Sequence, residues 1–403
     1  MKKVLFVDDE PNVLQGLERM LRPLRREWEI AFASSGAEAL EALALRPFDV
    51  LVSDMRMPGM NGVELMTAVM ERHPQIVRII LSGYADQEVI MRSLGPAHQY
   101  ISKPCDADTI KLTVGRACAL RDLLADETLQ LLVSQMQTLP SLPALYAELV
   151  KELRSEDASI RRIAEVISRD VGMTAKILQM VNSAFFAVRR HISDPTEAVS
   201  LLGVDMVMRL ALTIQVFKQF NHARLAGFSP EALWSHSLRV GLFAKRIAQS
   251  ESVEPEIFNS AFTAGLLHDV GHLVLIANRP QQYARMLQLA RTDGCSYHTA
   301  EKQVFGATHA EVGAYLLGLW GLPSAIVETV AFHHRPSECL ANGFGLLTAV
   351  HVANVLEAEM QAVRSGQSTG YAATLDLDYL SRLGLLKRLN VWQELCSEID
   401  IVE

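Results

Sequence analysis

KKVLFVDDE, residues 2–10, decides how the first part of this chain folds. Its apolar run leads directly into Asp8 and Asp9, and a second apolar run, residues 50–53, leads into Asp54. If both runs are parallel strands of one buried sheet, the three carboxylates meet at its carboxyl edge, where open α/β sheets place their sites. Carboxylates gathered there repel one another unless a hard cation lies between them, and Mg²⁺ prefers a few carboxylates plus water and phosphate oxygens. The pattern predicts a magnesium site at this edge.

Two further apolar runs end near polar side chains. Ser82 follows residues 79–81, and Lys103 comes shortly after Tyr100 and Ile101. A hydroxyl and an ammonium at neighbouring strand ends suit a phosphoryl group carried on one of the carboxylates. A solvated acidic turn with unrelated lysines is the competing interpretation, but it leaves the order of the polar positions at strand ends unexplained.

These stretches resemble the receiver domain of two-component response regulators. The matching text is VDDE at Val7–Glu10, SDMRMPGMNGVEL at Ser53–Leu65, LSGYAD at Leu81–Asp86 and YISKP at Tyr100–Pro104. The resemblance covers about the first 120 residues. It implies that Asp54 is the phosphoacceptor and that Asp8 and Asp9 hold Mg²⁺ together with it.

The same resemblance implies roles for the remaining polar residues of the edge. Ser82 and Lys103 would contact the phosphoryl oxygens, and Tyr100 stands at the aromatic switch position of the family. The peptide bond from Lys103 to Pro104 matches one that is usually cis there. A sensor histidine kinase is the phosphodonor that the resemblance implies.

Composition limits what the rest of the chain does. The 403 residues suggest two or three domains, and the net charge of −8 argues against a general nucleic-acid binder, whose affinity rests on neutralising phosphates. The five cysteines show no CxxC spacing, which is typical of a reducing compartment. No uninterrupted apolar run reaches the roughly 18 residues that span a bilayer. We therefore expect a cytoplasmic protein with no direct DNA binding and no membrane contact.

The chain changes character after the receiver-like segment. Residues 117–136 contain no glycine or proline, which predicts one continuous helix that joins two domains and transmits the signal. A dimeric coiled coil is open on this stretch, and a homodimer through the receiver or the linker helix is a related expectation. Pro140 and Pro143 then open a new domain, in which the periodicity is helical throughout.

The predicted fold class follows from these patterns. We expect an α/β receiver domain at 1–120 with a flavodoxin-like, five-stranded parallel sheet, because short apolar runs alternate with helical patterns. A linker helix at 121–138 joins it to an all-α output domain at 139–403, whose core ends near 355 and is followed by a helical extension at 356–403.

Histidines mark a second constellation in the helical part. The candidate ligands are His236, His268, Asp269, His309, His333, His334 and Asn354. They come from different predicted helices, as in metal sites built inside helical bundles. Imidazoles gathered with one carboxylate suit Fe, Mn or Zn better than Mg.

The order H…HD…N resembles the HD superfamily of metal-dependent phosphohydrolases, and the region from residue 139 to 354 more closely resembles the HDOD output domain. The matching text includes LPSLPALYAELVKEL, ISRDVGMTAKILQMVNSAFF, LWSHSLRV, AFTAGLLHDVGHLVL and HHRP. HDOD domains are regarded as signalling modules related to phosphohydrolases. The resemblance implies a receiver that controls a module binding a downstream signalling protein or a cyclic nucleotide.

This sequence departs from the catalytic pattern at two residues. Asn354 stands where the superfamily has its last aspartate ligand, so the site loses one negative charge. His272 replaces the lysine that is usual after HD-x-G in the cyclic di-GMP phosphodiesterase branch, and that branch's GYP motif is absent. Three interpretations of the His268–Asp269 dyad stay open: a buried pair that ties helices together without metal, a metal site without turnover, and an active phosphodiesterase gated by phosphorylation.

Overall fold

We describe the protein from a computed structural model of residues 1–403. The described residues are all except 83–95, 125, 137–138, 142, 154, 156–157, 183–190, 209–217, 220–228, 253, 340–342, 366–373 and 400–403. The chain divides into two compact units. The first unit holds Met1–Gln137, Gln179–His191 and Tyr315–Gly321, and the second holds Thr138–Leu178, Ile192–Ala314 and Leu322–Glu403.

The first unit contains the predicted five-stranded parallel sheet, in the order β2-β1-β3-β4-β5. Its strands are β1 (Lys2–Val7), β2 (Trp28–Ala33), β3 (Val50–Asp54), β4 (Val77–Ser82) and β5 (Gln99–Ser102). The two central strands β3 and β4 are buried along their whole length, which is why their sequences read as continuous apolar runs. The parallel arrangement brings the carboxyl ends of β1, β3, β4 and β5 to one edge.

Helices flank this sheet, and their starts follow from local sequence. They are Pro11–Leu21, Gly36–Leu45, Gly62–Arg72, Ala107–Leu123 and Glu127–Ser134, with a 3-10 turn at Arg22–Arg26. Asn61 caps the third helix in a reciprocal capping box with Glu64. At Gly62, the first residue of that helix, an added Cβ would lie 2.2 Å from the backbone oxygen of Asp54. Glycine is therefore required for the close approach of this helix to the strand that ends in Asp54.

The prediction of one continuous linker helix is wrong. One helix ends at Leu123, and a new one begins at Glu127, with the Asp126 side chain accepting a hydrogen bond from the Leu129 backbone N–H. Leu124 and Leu129 are buried at 0% and 3% exposure. The aspartate ends the first helix because its side chain offers the next turn a cap. These two leucines are therefore part of the core of the first unit and are not available to a coiled coil.

The second linker helix is held by a buried arginine. The Arg78 guanidinium, on β4, donates to the Ser134 carbonyl at 2.6 Å and lies 2.9 Å from His98 Nε2. It also donates to the carbonyls of Pro96 and Pro74, at 2.5 and 3.1 Å. Burial lowers the pKa of Arg78 to about 9. The strand that ends in Ser82 thus also carries the side chain that caps the last carbonyl of the linker helix.

From residue 138 onward the described chain is helical, apart from a two-residue parallel pairing of Pro140–Ser141 with Lys218–Gln219. The helices are Pro143–Leu153, Ile160–Ser168, Val171–Val181, Pro195–Met208, Pro230–Glu251, Pro255–Leu267, Val270–Asn278, Pro280–Asp293, Tyr297–Phe305, His309–Leu319, Ser324–Phe332, Leu346–Ser365, Leu377–Arg382 and Leu389–Ser397.

The centre of the second unit is apolar and closely packed. The stretch Pro255–Asn278 is long and apolar enough to cross a membrane by length and composition, and 83% of its most apolar window is buried in the fold. This is the burial of a core segment. A break at His268 and Asp269 divides it into two helices. At Gly271 an added Cβ would lie 1.9 Å from the His309 carbonyl oxygen, so only glycine lets these two backbones meet.

Candidate phosphoryl site and histidine centre

The carboxyl edge of the sheet gathers acidic residues around one ammonium. Lys103 Nζ lies 2.8 Å from Asp8 Oδ2 and also contacts Asp54 Oδ1. Asp8 and Asp54 are buried at 1% and 9% exposure, and Asp9 beside them is partly exposed. We call Asp8, Asp9, Asp54 and Lys103 the acidic pocket. Three carboxylates and one ammonium leave it with an excess of negative charge, which suits a divalent cation bound by oxygen.

Backbone amides fix the carboxylates of the acidic pocket. Asp54 Oδ2 accepts from the Arg56 N–H at 2.7 Å, and Asp8 Oδ1 accepts from the Glu10 N–H at 3.0 Å. Burial alone lowers the pKa of Lys103, but its hydrogen bonds and charge interactions with Asp54 and Asp8 outweigh this and raise the pKa above its ordinary value. The lysine is therefore a permanent cation of the pocket.

The other predicted residues of this edge lie at neighbouring strand ends. Ser82 is the last residue of β4 and is 3% exposed. Tyr100, on β5, is 9% exposed and lies in the core cluster with Ile80, so the aromatic ring is turned inward. The bond from Lys103 to Pro104 is cis, as predicted. Residues 83–86 of the LSGYAD stretch lie outside the described residues.

In the second unit, imidazoles converge on Asp269. His268 Nε2, His309 Nε2 and His333 Nε2 lie 3.3, 3.2 and 3.7 Å from Asp269 Oδ1. His236 Nε2 lies 3.6 Å from the other carboxylate oxygen. These residues come from four separate helices or helix ends. We call the five of them, together with His334, the histidine centre.

The four imidazoles nearest Asp269 all turn the same ring nitrogen toward it. Each has its Nδ1 within hydrogen-bond distance of a fixed oxygen and turns its Nε2 toward the carboxylate. The Nδ1 partners are the Gly265 carbonyl for His268, the Val330 carbonyl for His333, Glu301 Oε2 for His309 and Glu357 Oε2 for His236. Histidines that bind metals show this arrangement, because the bond at one nitrogen fixes the tautomer and frees the other lone pair.

Several nitrogen atoms of the centre face one another. His309 Nε2 lies 3.1 Å from His334 Nε2 and 3.5 Å from His333 Nε2. Two neutral Nε2 lone pairs at such distances repel unless a proton or a metal ion lies between them. Two further polar atoms, His268 Nε2 and Asn354 Oδ1, are buried without a hydrogen-bond partner. Buried polar atoms are normally satisfied, so His268 Nε2, which lies 3.3 Å from Asp269 Oδ1, fits a bound cation.

The protonation states also suit metal ligands. Burial lowers the pKa of His268 to about 4, so this ring is neutral near pH 7. Burial raises the pKa of Asp269, but the neighbouring His268 and His309 rings outweigh it and hold that pKa well below its usual range. A deprotonated carboxylate beside neutral imidazoles suits transition metals. Burial lowers the pKa of His309, but Glu301 and Asp269 outweigh it and raise that pKa to about 10, so a bound metal ion would displace a proton from this ring.

The donor atoms of the centre form two sets that share only Asp269. One set is Asp269 with His236 and His268, and the other is Asp269 with His309, His333 and His334. Within each set the donor atoms lie within 4.8 Å of one another. If each set held a metal ion, Asp269 would be a ligand common to both.

Sequence reasoning did not place Glu301, Glu357 or His272 in the surroundings of the centre, although His272 stood out as a departure from the HD-x-G pattern. Glu301 and Glu357 hold His309 and His236, and both are buried, at 0% and 2% exposure. His272 stacks on the His309 ring with 4.0 Å between centroids, and its Nδ1 lies 3.0 Å from the Tyr283 hydroxyl. A signal for Glu357 was present, since it follows Asn354 by three residues on one helix face.

Two polar residues near the centre have structural partners instead. His351 Nδ1 lies 2.8 Å from the His333 carbonyl, and its Nε2 accepts from the Asp376 N–H at 3.0 Å. Both of its nitrogens are therefore occupied. Asp170 Oδ1 accepts from the Met173 N–H at 2.8 Å at the start of a helix, so this carboxylate caps the helix.

Comparison with known proteins identifies both parts of the chain. A model of the response regulator receiver domain matches residues 4–114, and a model of the HDOD domain matches residues 139–336. An uncharacterised protein of Treponema pallidum is 26% identical over 250 residues, which are 60% of this chain and 47% of that protein. The hydrogenase transcriptional regulatory protein HoxA of Cupriavidus necator is 41% identical over 125 residues, 30% of this chain and 25% of that protein.

The chain thus spans about half the length of the first relative and a quarter of the second. Among solved structures, the MmoQ response regulator of Methylococcus capsulatus matches with a TM-score of 0.49 and 24% identity, covering 64% of this chain and 98% of that one. The two domain matches account for the sheet with its acidic pocket and for the helical unit with its histidine centre. The chain belongs to the response regulators that join a receiver domain to an HDOD domain.

Proposed function

We propose that Asp54 accepts a phosphoryl group from a sensor histidine kinase and that the receiver thereby controls an HDOD signalling module that holds a metal centre. The observation that carries the second half is the common orientation of four imidazoles toward Asp269. In this proposal the module acts by binding a downstream protein or a small nucleotide.

The acidic pocket supplies the parts that phosphoryl transfer needs. Asp8, Asp9 and Asp54 would hold Mg²⁺, which neutralises charge on the transferred group when it is bound. The Asp54 carboxylate is fixed by the Arg56 N–H. Phosphorylation adds roughly −1.5 to −2 charge and three strong acceptors at this position. Lys103 already contacts Asp54, and Ser82 would donate to a phosphoryl oxygen.

A route from the pocket to the linker runs through β4. Ser82 ends this strand, and Arg78, four residues earlier, donates to the Ser134 carbonyl of the second linker helix. A change in β4 on phosphorylation would therefore act on the helix that leads into the HDOD domain. Moving the output from 1:99 to 99:1 requires a bias of about 5.5 kcal/mol, and a smaller bias gives a graded response.

Labelling with a small-molecule phosphodonor in the presence of Mg²⁺ tests the phosphoacceptor. Asp54→Asn should abolish labelling, whereas Asp49→Asn should retain it. Asp49 is a matched control because its carboxylate accepts from the Lys3 N–H at 2.7 Å, away from the acidic pocket. Labelling of the Asp54→Asn protein would overturn the assignment.

Hydrolysis of a cyclic dinucleotide is the second candidate function, and the sharing of Asp269 between two imidazole sets favours it. A bound pair of metal ions supplies Lewis-acid activation of phosphate esters. In this chain Asp269 would bridge the pair, and the neutral Asn354 amide would face it in place of a carboxylate. Turnover of cyclic di-GMP by the Mn²⁺- or Fe²⁺-loaded protein, lost in His268→Ala, would establish this activity. Metal binding without turnover would contradict this second function and support the first one, in which the module only binds a partner.

A further inference from the structure

We infer that Glu357 and Glu301 are positioning residues that set the two halves of the histidine centre separately, Glu357 through His236 and Glu301 through His309. The inference rests on the metal centre proposed above. Neither carboxylate was predicted as a ligand. In this inference each of them controls how tightly one of the two donor sets holds its metal ion.

Glu357 is fixed by contacts at both of its oxygens. Its Oε2 contacts His236 Nδ1, and its Oε1 accepts from Arg239 Nε at 2.7 Å. Arg239 is itself held, because one of its terminal nitrogens donates to Ser235 Oγ at 2.8 Å. The carboxylate therefore cannot turn away from the imidazole without breaking a buried ion pair. His236 is left with Nε2 directed toward Asp269 at 3.6 Å.

Glu301 fixes the other half through a single oxygen. Its Oε2 accepts from both the backbone N–H and Nδ1 of His309, at 3.0 and 2.7 Å. The first bond sets the start of the helix His309–Leu319, and the second sets the rotation of the ring. His309 Nε2 consequently lies 3.2 Å from Asp269 Oδ1.

The oxygens at Nδ1 of His236 and His309 are charged, whereas those at Nδ1 of the other two imidazoles are neutral. His268 and His333 are held by carbonyl oxygens three residues earlier in the chain, which are neutral acceptors. His236 and His309 are held by carboxylates, and bonds to an ionised acceptor are about twice as strong as neutral ones. A carboxylate behind a ligating histidine also makes the ligand more basic. Each donor set thus contains one strengthened imidazole, and Glu357 adds negative charge beside the neutral Asn354.

The test compares Glu357→Gln and Glu301→Gln in the full chain loaded with Co²⁺. Metal equivalents are measured after equilibration with a graded chelator, and the Co²⁺ absorption bands report the ligands that remain. We expect two equivalents in the unmodified protein. Each variant should bind one of them about 10–100-fold more weakly, the usual effect of losing such a partner. The two variants should differ in the absorption band that they lose, since they affect different donor sets.

Matched controls separate positioning from general destabilisation. Glu251→Gln removes a carboxylate that accepts from Arg388 Nε and Trp392 Nε1 at 2.7 and 2.9 Å, on the same helix as His236. It should lower the melting temperature and leave both equivalents bound. If a Gln variant does not fold, Glu357→Asp and Glu301→Asp keep the buried charge but withdraw it from the ring, and the same half should weaken.

The outcomes distinguish this inference from the proposal on which it rests. If the unmodified protein binds no Co²⁺, both the proposed metal centre and this inference are wrong. Normal loading of the unmodified protein, with wild-type affinity for both equivalents in all four Glu variants, would overturn the positioning roles and leave the metal centre standing.

Discussion

The acidic pocket and the histidine centre differ in the charge and the solvent exposure of their side chains. In the pocket, the carboxylates of Asp8 and Asp54 contact one lysine that is 30% exposed at its side chain, and Asp9 beside them is partly exposed, so charge is in excess and solvent is near. In the histidine centre, one carboxylate lies among imidazoles whose exposed fractions are 0–2% for the four nearest Asp269. The pocket offers hard oxygen donors, and the centre offers imidazole nitrogens around one carboxylate.

This difference explains how the same chain can use two kinds of cation. Oxygen donors at an accessible edge suit Mg²⁺, which keeps much of its water and exchanges with phosphate oxygens. Buried imidazoles held at Nδ1 suit a transition metal that stays bound. In the proposed account, the receiver site would hold a transient group and the HDOD site a resident ion. Four substitutions test this contrast, from the largest expected effect to the smallest.

Arg78→Met should destabilise the first unit by about 3 kcal/mol, because it removes the guanidinium donors of the Pro74 and Pro96 carbonyls and leaves only His98 Nε2, at 2.8 Å, near the Ser134 carbonyl. Chemical denaturation measured by circular dichroism gives the change. The metal content of the histidine centre should not change. A variant that loses metal as well as stability would show that the two regions are not separable.

Gly271→Ala changes the second unit and leaves the acidic pocket untouched. The added methyl group would lie 1.9 Å from the His309 carbonyl oxygen, and overpacking against backbone costs about 2 kcal/mol. Denaturation should show this loss, and the protein should also bind less metal, because His309 must shift. Phosphodonor labelling of Asp54 should persist. Gly345→Ala is the matched control, since an added Cβ there meets nothing within 4 Å, and it should leave both properties intact.

Lys103→Met tests the charge excess of the acidic pocket. Removing the one ammonium from among the carboxylates should raise Mg²⁺ affinity by about tenfold, or about 1.4 kcal/mol, because the carboxylates then lack their counter-charge. Mg²⁺ titration followed by tryptophan fluorescence or calorimetry measures it. Metal content of the histidine centre serves as the internal reference. Weaker Mg²⁺ binding would contradict the idea that the lysine competes for the pocket.

His351→Asn separates a structural histidine from the ligands. The substitution removes the contacts to the His333 carbonyl and the Asp376 N–H, which should cost about 1 kcal/mol of stability. The bound metal equivalents should not change, in contrast to His268→Ala. Loss of metal in His351→Asn would mean that this ring belongs to the histidine centre.

The sequence allowed the fold and the places of the candidate site residues at strand and helix ends to be predicted, for physical reasons. Buried parallel strands read as apolar runs, and the parallel order then brings Asp8, Asp54 and Ser82 to one edge. The HD dyad stands at a break in an apolar helical segment, where a polar pair needs partners. These features are local, so a single sequence displays them.

The features that escaped prediction depend on contacts between distant segments. Glu301 lies in YHTAEKQVF, where a glutamate looks like part of a solvated helix face, and only the packing against His309 buries it. Glu357 pairs with residues more than 100 positions earlier. The linker was predicted as one helix because it lacks glycine and proline, yet Asp126 starts a new helix through its cap. A capping side chain can end a helix as effectively as a breaker residue.

Metal analysis of the full chain, purified without chelator, tests the central claim most directly. Protein with native sequence should contain Fe, Mn or Zn in near-stoichiometric amount, and Asp269→Asn should contain little, because Asp269 belongs to both donor sets. Labelling of Asp54 should be equal in the two proteins. A metal-free native protein that also fails to bind added Mn²⁺ or Zn²⁺ would contradict the account and leave His268 and Asp269 as a pair that only ties helices together.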